Sequence, residues 1–131
     1  MKTIALAISA GLFSALLFEA VSASGSPLAI PFSLLAPLPI MIAGLGWGTV
    51  SGWIAAVMGS ATVAVAADPI QAAISFAAGC ALPAAFLTHL AMLGRPVDAA
   101  NPNSPTEWYP AGRILLWCAA YGTLVILISI A

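Results

Sequence analysis

Charge is what this chain has least of. Three Lys or Arg, four Asp or Glu and a single His are spread over 131 residues, so that charged residues make up 5% of the positions. Soluble domains carry roughly 25%, and a share this low cannot solvate a globular surface. The formal net charge of −1 supplies no basic patch, which excludes nucleic acid as an expected partner. Cysteine occurs only twice. Cys80 and Cys118 both lie in apolar runs and read as small hydrophobes, not as a disulfide or a metal pair. No C-x-x-C, H-E-x-x-H or Walker-type glycine loop occurs, and one His with four acids offers no Ser-His-Asp arrangement. The chain is therefore not expected to be an enzyme, and no metal or cofactor is expected.

What fills the chain instead is hydrocarbon: 63% of the residues are hydrophobic and the mean hydropathy is +1.12. Apolar runs near the ~20 residues that a helix needs to cross a bilayer explain both figures. We expect an all-α fold, a polytopic transmembrane helix bundle forming a single membrane domain in the lipid bilayer. About five spans are expected, over residues 3–21, 28–44, 49–67, 69–93 and 110–131, with a polar loop over 94–109.

The stretch from Ala36 to Gly59 organises the rest. Pro37 and Pro39 precede Gly44, Gly46, Gly48, Gly52 and Gly59 in almost wholly apolar surroundings. Gly44, Gly48 and Gly52 recur every four residues, as do Ser51, Ala55 and Gly59, the small-xxx-small spacing that lets helix backbones approach closely. Packing within the chain uses such a face; so does association with another membrane subunit or with a second copy of the chain. The second span is short and interrupted by Pro31, Pro37 and Pro39. A Pro/Gly-broken apolar segment is the best sequence pointer to a transporter's substrate site, and a kinked packing helix is the plainer alternative.

The flanking segments add detail. Lys2, the run Thr3–Val21 and the ending Val21-Ser22-Ala23 fit a retained first helix, and they also fit a signal peptide. The further spans that follow at once favour retention. Asp68, Pro69 and Gln71 match the N-cap, first and third positions of a helix start. Pro83 cannot bond back to the carbonyl of Gly79, which predicts a kink. His89 near the end of this span is a candidate by virtue of being ionisable in an apolar helix, against the plainer reading of an interfacial His. Ser104-Pro105-Thr106-Glu107 again resembles a cap and predicts a short interfacial helix. Trp108 and Tyr109 suit the aromatic belt at headgroup level. Arg113, Trp117 and Tyr121 share one helix face, where Arg113 either stacks on Trp117 or snorkels to the interface. With five spans, Lys2, Arg95 and Arg113 all fall on one side, and the positive-inside rule makes that side cytoplasmic. The expected location is the cell (inner or plasma) membrane, with the N-terminus cytoplasmic and the C-terminus outside. The apolar ending marks either a short protein or the front of a longer one.

Two motifs carry a resemblance. Ala36-Pro37-Leu38-Pro39 leading into Ile40-Met41-Ile42-Ala43-Gly44-Leu45-Gly46-Trp47-Gly48, together with Glu107-Trp108-Tyr109-Pro110-Ala111-Gly112-Arg113, resembles the N-terminal part of the YybS-like family of bacterial integral membrane proteins. That family is distantly similar to the S components of energy-coupling-factor transporters. The resemblance implies a compact helical bundle that binds a small molecule from outside, in members typically longer than this chain. It assigns no catalytic or ligand residue.

The function expected from these observations is a small-molecule binding or transport unit. Its candidate substrate-binding residues are Glu19, Pro37, Pro39, Gly44, Gly48 and Gly52. A structural or assembly subunit without a substrate is the alternative. A small proton-coupled exporter working through Glu19 is a third reading, weakened because Glu19 lies near the end of its helix.

Overall fold

The computed structural model describes residues 2–24, 30–66, 70–98 and 104–130. The chain forms α1 (Lys2–Ser24), α2 (Ile30–Leu35), α3 (Leu38–Trp47), α4 (Thr49–Ala66), α5 (Gln71–Phe76), a π-helical segment (Ala77–Ala81), α6 (Leu82–Ala91), strands β1 (Gly94–Pro96) and β2 (Thr106–Trp108), and α7 (Ala111–Ile130). Among the described residues four helical stretches are long and apolar enough to cross a membrane: Lys2–Ala20, Thr49–Ala66, Gln71–Ala91 and Ala111–Ile128. The expected cap at Asp68 and Pro69 lies outside the described residues.

The second apolar run departs from its expected bounds. It divides into α2 and α3 at Ala36-Pro37 and continues to Trp47 instead of ending at Gly44. Its prolines do not interrupt a helix interior. Pro31 is the second residue of α2 and Pro39 the second of α3, positions where the missing N–H has no intrahelical partner to lose. The break leaves the carbonyl of Ala36 buried, and the Ser14 hydroxyl on α1 donates to it. Gly48 then reverses the chain with φ of +95°, a conformation that favours glycine because it has no Cβ. The amides of Ser51 and Gly52 donate to the Gly48 carbonyl and start α4.

The kink expected from Pro83 takes a definite form. The amide of Leu82 donates to Ala77, five residues back, and a π turn spans Ala77–Ala81. One extra residue enters the turn just before a proline that offers no N–H of its own, which is how a helix carries on past the gap.

The helices alternate in direction. Leu6 and Trp47 line one groove while Ser14 reaches Ala36, so α3 runs against α1. Gly48 turns the chain so that Gly44 faces Gly52, which reverses α4 against α3 and sets it parallel to α1, with Gly11 on Ala55 and Gly59. Thr88 lies against Gly44 and Phe76 against Gly59, which turns α6 back again. The amide of Tyr109 donates to Leu93 and Trp117 meets Phe86, so α7 runs antiparallel to α6. The core between α1, α3, α4 and α6 is built from small side chains, Ala15, Ala43, Ala55, Ala56, Ala81, Ala84 and Ala85, around the larger Ile40, Val63 and Phe76. Buried hydroxyls are satisfied within it: Ser51 donates to Trp47 at 3.2 Å and Thr88 to Ala84 at 2.7 Å.

The polar stretch 94–109 is not a bare loop, and the interfacial helix expected after Ser104 is absent. Residues 106–108 form a strand instead, antiparallel to 94–96, with Arg95 opposite Glu107 and Gly94 opposite Trp108. β-Branched Thr106 and aromatic Trp108 favour a strand over a helical turn. Gly94 permits their approach, since a Cβ there would lie 2.8 Å from Thr106 Cγ2 and 3.2 Å from Trp108 Cε3. Ser104 Oγ donates to the Asp98 carbonyl at 2.9 Å rather than capping a helix. Arg95 binds Glu107 Oε2 through Nε at 2.9 Å and Nη2 at 2.8 Å. Both side chains are more than half exposed, so Glu107→Gln is expected to shift stability by less than about 1 kcal/mol. A thermal melt of the two proteins in one detergent checks this.

Candidate functional site

The six candidate residues do not converge on one cavity. Gly44 and Gly52 belong to packing. They sit on different helices, and a Cβ on Gly52 would come within 3.1 Å of the Gly44 Cα across the α3–α4 turn. A Cβ on Gly44 would run into the Thr88 side chain of α6. The small-residue spacing 44–48–52 is therefore not one helix face: its first and last members face each other inside the chain, and Gly48 is the turn between them. A Cβ on Gly48 would meet nothing, so its role is conformational. Gly48→Ala should cost about 1–3 kcal/mol, because φ of 95° with ψ of 159° is a backbone region that essentially only glycine occupies. Gly46→Ala, in open space two residues earlier, should cost nothing; melting temperatures of the two variants test the contrast.

Pro39 lines a groove of about 460 Å³ between α1 and α3, with Ser9, Phe13, Ile42 and Trp47 among its walls. It is apolar apart from Ser9, whose hydroxyl already donates to Leu6 at 2.9 Å. Nothing in this groove orients a polar ligand. Pro37 is half-buried at the α2–α3 turn, and its carbonyl accepts from Met41 at 3.1 Å.

Glu19 is placed differently. Ala7, Gly11, Ala15 and Glu19 follow one another at four-residue spacing, and the first three are buried. Glu19 lies four residues beyond Ala15, about 40° further round α1, and is itself partly buried. Its Oε1 is shielded from solvent and has no hydrogen-bond partner among the described residues. The neighbouring Phe18 packs edge-on against Phe76, with centroids 5.1 Å apart. A shielded oxygen without a donor is an unfilled acceptor, which a cationic or hydrogen-bond-donating group would satisfy.

One other polar atom has the same property. His89 Nδ1, in the last turn of α6, is shielded and has no partner among the described residues. It lies at the opposite end of the bundle from Glu19, since Thr88 meets Gly44 whereas Phe76 meets Phe18. The two do not form a pair. Among the described residues no group of three or more His, Cys, Asp or Glu is arranged to hold a metal ion.

The polar cavity was not expected from the sequence. It holds about 520 Å³ at the junction of the hairpin with α7, and is lined by Leu93, Gly94, Arg95, Glu107, Trp108, Tyr109, Pro110 and Arg113. Arg113 thus lies at the hairpin, while Trp117 packs its ring edge-on against Phe86 at 5.5 Å. The signal was present as charge and aromatic residues on both sides of a loop, but it becomes visible only once residues 94–96 pair with 106–108.

No family model, curated protein or solved structure matches the chain. The class it defines is a bundle of apolar helices suited by length and composition to a membrane.

Proposed function

We propose that the protein is a multi-pass integral membrane protein that binds a small cationic or donor-rich molecule at the Glu19 end of its bundle, as a binding or transport unit. The observation that carries this reading is the shielded Oε1 of Glu19 on α1, which has no partner among the described residues. The resemblance of the Pro37–Gly48 and Glu107–Arg113 motifs to the YybS-like family, and through it to S components, supports the same reading. In it, α2 and α3 together make the second of five passes. Lys2, Arg95 and Arg113 mark the cytoplasmic face. Glu19 then lies toward the outer face, where a unit loading from outside would hold its ligand.

Native mass spectrometry of the detergent-extracted protein tests it. The wild type is expected to carry a small-molecule mass that Glu19→Gln loses, because an amide cannot supply the negative charge. A bare wild-type chain, or an adduct indifferent to Glu19→Gln, would remove the basis for the proposal.

A second reading, an assembly subunit of a membrane complex, is favoured by one observation. The span Ala111–Ile128 has no buried residue although it is strongly apolar. On this reading the outer face of α7 meets another subunit, and crosslinking from α7 would recover that protein.

A further inference from the structure

The cavity at the hairpin and a second depression below it lie along one side of α7. The lower groove, about 260 Å³, runs between α6 and α7 and is lined by Pro83, Phe86, Leu87, Trp117, Cys118, Tyr121 and Gly122. Arg113 of the upper cavity and Trp117 and Tyr121 of the lower groove repeat every four residues, so they share one stripe. Arg113 to Tyr121 covers about 12 Å of helix at 1.5 Å per residue. A polar cavity and an apolar slot therefore follow one another along α7 toward the middle of the span.

The chemistry of the two parts differs in the way that a lipid does. The upper cavity holds two guanidinium groups and one carboxylate. Glu107 is occupied by Arg95, which leaves one uncompensated positive charge. Arg113 has its backbone amide bonded to Pro110, while its side chain is exposed and has no partner among the described residues. A planar guanidinium suits the oxygens of a phosphate, and exposed Trp108 and half-buried Tyr109 beside it suit the headgroup level. The lower groove offers ring faces, Pro83, Leu87 and Gly122, and almost no polar surface.

We propose that this composite site binds one anionic phospholipid. Its phosphate sits on Arg113 and the free edge of Arg95, and an acyl chain lies in the α6–α7 groove against Trp117 and Tyr121. The site rests on the membrane-protein reading above but not on the Glu19 ligand. It also gives the exposed arginines a use on the face assigned to the cytoplasm, where the leaflet is anionic.

The test is lipid retention by the full chain in detergent, read by native mass spectrometry against added phosphatidylglycerol, phosphatidylcholine of the same chain length, and inorganic phosphate. Phosphatidylglycerol should be retained in preference to phosphatidylcholine. Arg113→Gln should weaken its retention roughly fivefold, the effect expected of one basic residue at an anionic surface, with helical content by circular dichroism unchanged. Trp117→Ala should weaken the long-chain lipid but not a short-chain phosphatidylglycerol. Equal retention of the two headgroups, or indifference to Arg113→Gln, would overturn the proposal. If inorganic phosphate displaces the lipid at equal concentration, the site is one for free anions and the lipid assignment fails. A protein that stays in solution without detergent would instead defeat the membrane reading itself, and so the two failures are told apart.

Discussion

Gly11→Leu is expected to abolish the folded bundle. Gly11 is where α1 meets α4 backbone to backbone: a Cβ there would run into the Ala55 carbonyl oxygen and come within 2.9 Å of the Gly59 amide nitrogen. The contact is reciprocal, because a Cβ on Gly59 would lie 3.0 Å from the Gly11 carbonyl oxygen. These obstacles are main-chain atoms and cannot rotate away, so relief requires the two helices to separate along their whole interface. Gly11→Ala alone should cost about 1–3 kcal/mol, the usual penalty for overpacking. Leucine adds three more carbons with nowhere to go. Gly122→Ala is the matched control, since Gly122 is also helical but a Cβ there would meet nothing. It should be neutral or stabilise by up to about 1 kcal/mol. Size-exclusion chromatography in detergent separates the outcomes: Gly11→Leu should aggregate or fail to accumulate, and Gly122→Ala should elute as wild type.

Phe76→Ala should be the most damaging truncation. Phe76 is the largest side chain that is fully buried. Its ring meets Phe18 of α1 edge-on, with an interplanar angle of 64°, and lies against Gly59 of α4. It therefore joins three helices at the point where α5 passes into the π segment. Removing the ring leaves a void lined by a glycine, which has no side chain to fill it. The expected cost is about 3–5 kcal/mol, through lost dispersion contacts that lipid outside the bundle cannot replace. Phe76→Leu keeps most of the volume and should cost about 1.5 kcal/mol or less. Denaturation in mixed micelles, with both variants beside the wild type, gives the ratio.

The sequence was legible where composition decides the outcome and opaque where contact decides it. Apolar run length placed four of the helices within a few residues, and the Gly79–Pro83 spacing announced the irregularity that the π turn resolves. Bilayer-scale hydrophobicity says nothing of hairpins, so the ends of α3 were missed. The chain turns at Gly48 because one residue there can take a positive φ, and the four-residue spacing of Gly44, Gly48 and Gly52 gave the same appearance as a continuous helix face. Gly11 drew no attention, because nothing near it in sequence is unusual. Its role comes from Ala55 and Gly59, more than forty residues away. The strand at Thr106–Trp108 was masked by a cap-like Ser-Pro-Thr-Glu run. Arg95 and Gly94 override that run from the partner strand. Glu19 is legible in the sequence as an acid in an apolar helix, whereas the shielding of its Oε1 depends on how α1 packs.

The proposed five-pass bundle puts the hairpin on the side of Lys2 and the α4–α5 connection on the other. The most direct measurement is labelling of single cysteines by a membrane-impermeant maleimide. It is made in a background with Cys80 and Cys118 replaced by alanine, on intact cells and on opened ones. Gln71→Cys and Val97→Cys are both exposed positions outside the core. The account predicts that the cysteine at 71 reacts in intact cells and the one at 97 only after the membrane is opened. Reaction of both from outside, or of neither until opening, would contradict it.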